Sequence, residues 1–229
     1  VNDAVIGFAD DITLGDLGEL LEDNTPVLRV LVDEPPEDPM YLRGVSMDHF
    51  DGSQWKRTAG EREFDQGDMP SDAVTVELLA EPGTQGVLFT IGQVWDIHIG
   101  EGRVWQDFDA NWFVDGPAGA KRYSLTTRLT AQRQEPFVDK RWLQVDESVS
   151  DDLRVFAREV VGDARTATEK IDRIHSWLRQ NASYTRAPRD TASEAPVETF
   201  LFQKQEGHCE YFASALALLL RIEGVPTRV

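Results

Sequence analysis

The chain has 229 residues, 41 of them acidic against 23 basic, for a formal net charge of −18 and a pI of about 4.5. That balance argues against an electrostatic grip on nucleic acid or anionic lipid, both of which need basic patches. Hydrophobic residues make up 41%, enough to build the core of one large domain or two modest ones.

In chain order, the first residues read as an acidic lead-in over 1–23, with "DDITLGDLGELLEDN" as its main feature. From 24 to 136, β-branched and aromatic runs alternate with turn residues. Strands are expected at Pro26–Val32, Val74–Ala80, Gly86–Ile91, Val94–Ile99 and Arg122–Ala131. "FDGSQW" (Phe50–Trp55) reads as a tight turn with Gly52 at positive φ, and "DEPPEDP" and "AEPGTQG" read as loops. Many short strands with frequent turns predict a β-sandwich-like domain.

After Pro136 the period becomes helical, and the second domain is read as 137–229. Ser150 is placed to cap a first helix carrying Leu153, Phe156, Val160 and Val161 on one stripe. Thr166 and Glu169 stand at capping-box spacing before a second helix with Ile171, Ile174, Trp177 and Leu178 on its apolar face. "APVETFLFQKQEG" reads as a third helix, with Pro196 in its first turn and Gly207 ending it. A fourth starts near Cys209 and stops at Gly224, with Phe212, Leu216, Leu219 and Leu220 marking its buried side. The apolar run Ala213–Leu220 is shorter than the ~20 residues of a membrane span, and no leader pattern opens the chain at Val1.

Cys209 is the one cysteine. A thiol at a helix N-terminus meets unpaired backbone N–H groups and the positive end of the helix dipole, both of which favour an anion. Those N–H groups also suit an oxyanion, and Gly207 is expected to leave room beside the sulfur. Position and charge stabilisation point to covalent acyl transfer through a thioester. A small, buried, inert core residue is the competing reading of the same position.

The stretch "FLFQKQEGHCEYFASALALLLRIEGVPTRV" resembles the nucleophile region of the transglutaminase-like superfamily. Gly207, Cys209, Phe212, Ala213, Leu219, Leu220, Arg221, Gly224, Val225, Pro226, Arg228 and Val229 fall on its pattern. Val197, Glu198, Phe200 and Leu201, "YLRGVSMDHFDGSQWKR" and "WLRQNASYT" narrow the likeness to the bacterial, membrane-anchored, TgpA-like branch. The resemblance implies an α+β chain: a β-sandwich-like domain, then the helical half of a transglutaminase-like (papain-like) domain. It implies Cys209 as nucleophile on protein glutamine or peptide carbonyls, outside the cytoplasmic membrane. The partner is a protein or peptide substrate, with no nucleic acid, and membrane contact only through segments absent from this chain. No metal and no organic cofactor is implied.

In that family the histidine and aspartate that complete the site follow the cysteine helix, past Val229, so the resemblance implies a chain inactive in isolation. The four histidines present offer no clear substitute. His208 neighbours Cys209, but adjacent side chains on a helix diverge by about 100°, leaving it a candidate only for touching substrate or tuning the sulfur. His175 reads as a partly buried helix residue, His49 and His98 as structural. Tyr184 is a candidate wall or oxyanion donor, and Trp177 reads as packing. Glu210 suits the dipole of the helix it opens. Asp10, Asp11, Glu34, Glu37 and Asp38 lack a calcium-loop signature. An apolar face around Phe212 and Leu216 is expected to invite self-association. A binding or assembly module of an envelope protein, with a vestigial thiol, is the alternative from a different class.

Overall fold

A computed structural model of the chain describes residues 11–14, 26–32, 40–64, 67–82, 84–116, 119–129, 138–186 and 193–229. Most of the lead-in over 1–23, with Asp10, lies outside the described residues, as do Glu34, Glu37 and Asp38. The chain divides into two compact units.

The first unit takes the described parts of 24–46 and 59–136. One four-stranded antiparallel sheet runs in the order Gln93–Ile99, Lys121–Arg128, Val74–Ala80, Leu28–Leu31. A second runs Glu61–Arg62, Arg103–Asp107, Trp112–Asp115, Val87–Leu88. Alternation does the sorting: in Val74–Ala80, Val76, Leu78 and Ala80 are buried. They join Tyr123 and Leu125 from the same sheet, and Leu88, Trp112 and Val114 from the other, in one core. The strands Arg103–Asp107 and Trp112–Asp115 were not expected, because aromatic and charged residues alternate there without a long β-branched run. A turn closed by the Asp107 carboxylate on the Asn111 N–H joins them.

The second unit takes Met47–Thr58, the strand Asp11–Thr13 and the described residues from 138 onward. The border therefore differs from the expected 24–136 block at one place: the hairpin His49–Phe50/Gln54–Lys56 belongs with the helices. Its turn is the expected one, with Gly52 at φ 102°. The reason for its allegiance is Trp55. This side chain is 1% exposed, and its indole N–H donates to Ser214 Oγ at 2.9 Å.

Four helices follow: α1 (Asp151–Val161), α2 (Ala167–Asn181), α3 (Pro196–Thr199) and α4 (Cys209–Ile222). Ser150 caps α1 by accepting from the Leu153 N–H, and Thr166 and Glu169 form the complete capping box of α2. The third helix is shorter than expected. It gives way to a π turn over Phe200–Lys204, and Gln205, not Gly207, takes the left-handed closing position at φ 50°. Gly207 instead lies in the short strand Glu206–Gly207, paired in parallel with Ser183–Tyr184. Gly224 ends α4 at φ 76°, as its position predicts.

Candidate active site

Cys209 is the first residue of α4, and its side chain is exposed. No side chain caps this helix: His208, in extended conformation before it, makes no capping hydrogen bond. The positive end of α4 therefore opens beside the sulfur, with Glu210 as the acidic residue of its first turn. Buried faces hold the helix in place. Tyr211, Ser214, Ala215, Leu218 and Leu219 are buried, and Ala215 and Leu219 have no exposed surface at all.

Gly207 makes room for a ring and not for a substrate. A Cβ on it would stand 3.0 Å from Tyr211 Cδ2 and 3.1 Å from Tyr211 Cβ and Cγ. Tyr211 thus packs against the strand that delivers Cys209. Beneath it Phe200 lies 5.8 Å from Tyr211 and 5.1 Å from Phe212, centroid to centroid. Phe212 and Leu216, expected on an open apolar face, are half-buried.

Of the two accessory candidates, the structure brings one to the surface near the thiol. Tyr184 is registered opposite Gly207, is 58% exposed, and its ring lies 6.4 Å from that of Phe212. His208 is the reverse case. It is 0% exposed, so its imidazole has no face on which to meet a substrate. Nε2 stands 3.4 Å from Glu210 Oε1, yet neither ring nitrogen completes a hydrogen bond. Desolvation by burial holds this imidazole below its ordinary range, so His208 is neutral at neutral pH. Glu210, expected as a first-turn charge that complements the helix dipole, is 8% exposed beside it. His175 is exposed, not partly buried, and His49 lies in the hairpin of the second unit. Among the described residues no histidine hydrogen-bonds Cys209, and no group of histidine, cysteine and carboxylate side chains could hold a metal ion. Trp177 packs edge-on against Phe156 at 4.9 Å, as expected for packing.

The sequence reading missed the frame around α4. Arg221 is 3% exposed. Its guanidinium donates to Asp48 O at 2.8 Å, Gln144 O at 3.0 Å and Thr227 O at 2.6 Å, and it covers the Trp55 ring at 4.8 Å. The Asp48 carboxylate, fully buried, accepts from Arg141 Nη1 at 2.7 Å and from the Thr58 N–H and hydroxyl. The Gln144 side chain pairs with both the N–H and the C=O of Phe50, standing in for a strand. Glu198, in the stretch Val197–Leu201, accepts from the Ser150 N–H and so anchors the start of α1. One signal was available: Arg221 falls three and four residues after Leu218 and Ala217, on the buried stripe, where a charge demands partners.

The TgpA N-terminal domain matches residues 2–134, more than half of the chain, and the transglutaminase-like superfamily matches 154–229. The chain is a TgpA-like member of the transglutaminase-like superfamily. A protein-glutamine gamma-glutamyltransferase of Pseudomonas aeruginosa is 25% identical to this TgpA-like chain over 240 residues, covering 100% of the chain and 35% of the relative. The uncharacterized protein YebA of Bacillus subtilis is 30% identical over 104 residues, 44% of this chain and 14% of the relative. The chain thus spans about a third or less of these relatives' lengths. The crystal structure of the periplasmic domain of TgpA from Pseudomonas aeruginosa superposes with a TM-score of 0.81 at 22% identity, over 98% of this chain and 80% of that one. The ethylmercury-bound form of that domain gives 0.76 at 22% identity, over 97% and 81%. Among the described residues no helix is long and apolar enough to cross a membrane.

Proposed function

We propose that Cys209 is the nucleophile of an acyl transfer on glutamine carboxamides or peptide carbonyls of a protein substrate, in the extracytoplasmic part of a longer, membrane-anchored enzyme. The exposed sulfur at the uncapped start of α4 carries this reading. The glutamyltransferase named among the relatives supports the reaction class, and the periplasmic neighbour supports the compartment. The sulfur adds to the carbonyl carbon, and the first N–H groups of α4 stabilise the oxygen that takes up the electron pair. Collapse breaks the C–N bond, expels ammonia or an amine, and leaves a thioester. Attack by an amine or water on the thioester carbonyl then returns the thiol.

A base must take the thiol proton and hand it to the leaving nitrogen. Among the described residues no histidine is bonded to the sulfur, and His208 is sealed away. The chain by itself is therefore expected to be alkylated but not to turn over. Iodoacetamide should label Cys209 in the native chain. Incorporation of monodansylcadaverine into β-casein should not exceed that of Cys209→Ala. A chain extended through the residues that follow Val229 should incorporate the amine and lose that activity on Cys209→Ala. An extended chain that neither incorporates the amine nor accumulates a thioester would leave the vestigial-thiol binding module as the better reading.

A further inference from the structure

A short parallel ladder leads into α4. Ser183–Tyr184 pairs with Glu206–Gly207, Ser183 standing opposite Glu206 and Tyr184 opposite Gly207. The Ser183 N–H donates to Gln205 O at 2.8 Å, and the Thr185 N–H donates to Gly207 O at 2.9 Å. In an extended chain the main-chain groups of successive residues point to opposite sides. The N–H and C=O of Tyr184, between those two donors, therefore point away from the ladder. Among the described residues no hydrogen bond reaches either group. Ser183 and Tyr184 are both exposed. An open strand edge of this kind is a template for one more strand.

The place of this edge decides what that strand is. Tyr184 stands opposite Gly207, just before the nucleophile in the chain. Its ring lies 6.4 Å from that of Phe212. Phe212 comes one turn after Cys209 in α4 and so shares the helix face of the thiol. The Tyr184 side chain thus marks the face of the ladder that looks toward the sulfur. Phe200, buried and 5.1 Å from Phe212, backs that aromatic wall.

On the acyl-transfer reading, on which this inference rests, the molecule that must come here is a polypeptide. A polypeptide main chain carries the acceptor and donor that the outward Tyr184 N–H and C=O require, and its side chains alternate between two faces. Docked on this edge, every second side chain points to the Tyr184 face, where the reacting glutamine meets the thiol. The next residue on that face meets the Tyr184 and Phe212 rings, which suit an apolar side chain. We propose that the outer edge of Ser183–Thr185 binds the substrate as an added β-strand, and that Tyr184 sets the register of its glutamine against Cys209. The substrate class is then an extended segment with an apolar residue two positions from the glutamine, and not a helical one.

Peptide electrophiles test this on the whole chain, since Cys209 need not turn over to be alkylated. Ac-Leu-Val-Dap(chloroacetyl)-Val-Leu-NH₂ carries its electrophile on diaminopropionate, where the glutamine side chain would be. Ac-Dap(chloroacetyl)-NHMe carries the same electrophile without flanking residues. Intact-protein mass should show the pentapeptide alkylating Cys209 about tenfold faster. A methyl placed on one main-chain nitrogen at a time should abolish the gain at alternate residues and leave it at those between. Tyr184→Pro removes the outward N–H and leaves the Ser183 and Thr185 bonds in place. It should reduce the rate ratio of the two compounds about threefold. Equal rates for both compounds in the parent chain, or a gain that survives every N-methyl position, overturns the strand docking and leaves the acyl-transfer reading standing. So does a dimer in sedimentation velocity that is lost on Tyr184→Pro, which would give the edge to a second copy of the chain. A thiol that neither compound alkylates overturns the docking and the acyl-transfer reading together.

Discussion

Replacing Arg221 with methionine removes a buried guanidinium while keeping most of the volume of its stem. Three main-chain carbonyls, on Asp48, Gln144 and Thr227, lose their donor, and the Trp55 face loses its cation at 4.8 Å. Stranding one buried and two half-buried acceptors and deleting one desolvated cation–π contact sums to about 6 kcal/mol gross. Relief of the desolvation carried by a buried cation returns part of that, leaving a net loss of about 3–4 kcal/mol. In urea, with a slope of about 2 kcal/mol/M, the midpoint of the helical unit should fall by about 2 M. Tryptophan fluorescence reads it, since Trp55 and Trp142 both sit in that unit. Arg221→Lys, which keeps the charge but not the planar fork, should fall between parent and methionine variant. A midpoint shift below about 0.3 M for Arg221→Met would refute the view that this side chain ties hairpin, α4 and the C-terminal segment together.

Gly207→Ala puts a methyl 3.0 Å from the Tyr211 ring. It should destabilise the chain by about 1–3 kcal/mol, and Gly207→Ala combined with Tyr211→Leu should recover part of that loss in the same melts. His208 gives a pH dependence with a defined sign. Its pKa is lowered by burial in the folded chain, so the unfolded chain takes the proton first as pH falls. Stability from this group is complete above about pH 6.5 and declines below it. The Glu210 carboxylate and the Tyr211 ring face the imidazole, so the test is differential: His208→Gln should show a flatter fall in urea midpoint between about pH 7 and pH 5 than the parent.

Local rules carried far in this chain. Ser150, Thr166 with Glu169, Gly52 and Gly224 each act as their residue type and spacing predict, because caps and tight turns are decided within a few residues. Cys209 at the start of α4 was legible for the same reason. What the sequence hid was long-range. Trp55 reads locally as one half of a hairpin, and only its bond to Ser214, 159 positions away, shows which unit owns it. Gly207 reads as a helix stop until the Tyr211 ring is seen filling the space its side chain would need. His208 reads as an accessory to the nucleophile because the two are adjacent. Burial, which has no local signature in "GHCEY", decides otherwise.

The most direct test of the account is acetylation of Cys209 by p-nitrophenyl acetate, followed by intact-protein mass, in the native chain and in the chain unfolded by urea. A sulfur presented at the open mouth of α4, with N–H groups ready for the oxyanion, should be acetylated at least about tenfold faster native than unfolded, with no adduct in Cys209→Ala. A native rate equal to or below the unfolded rate would contradict the claim that the fold builds an acyl-transfer site around this thiol.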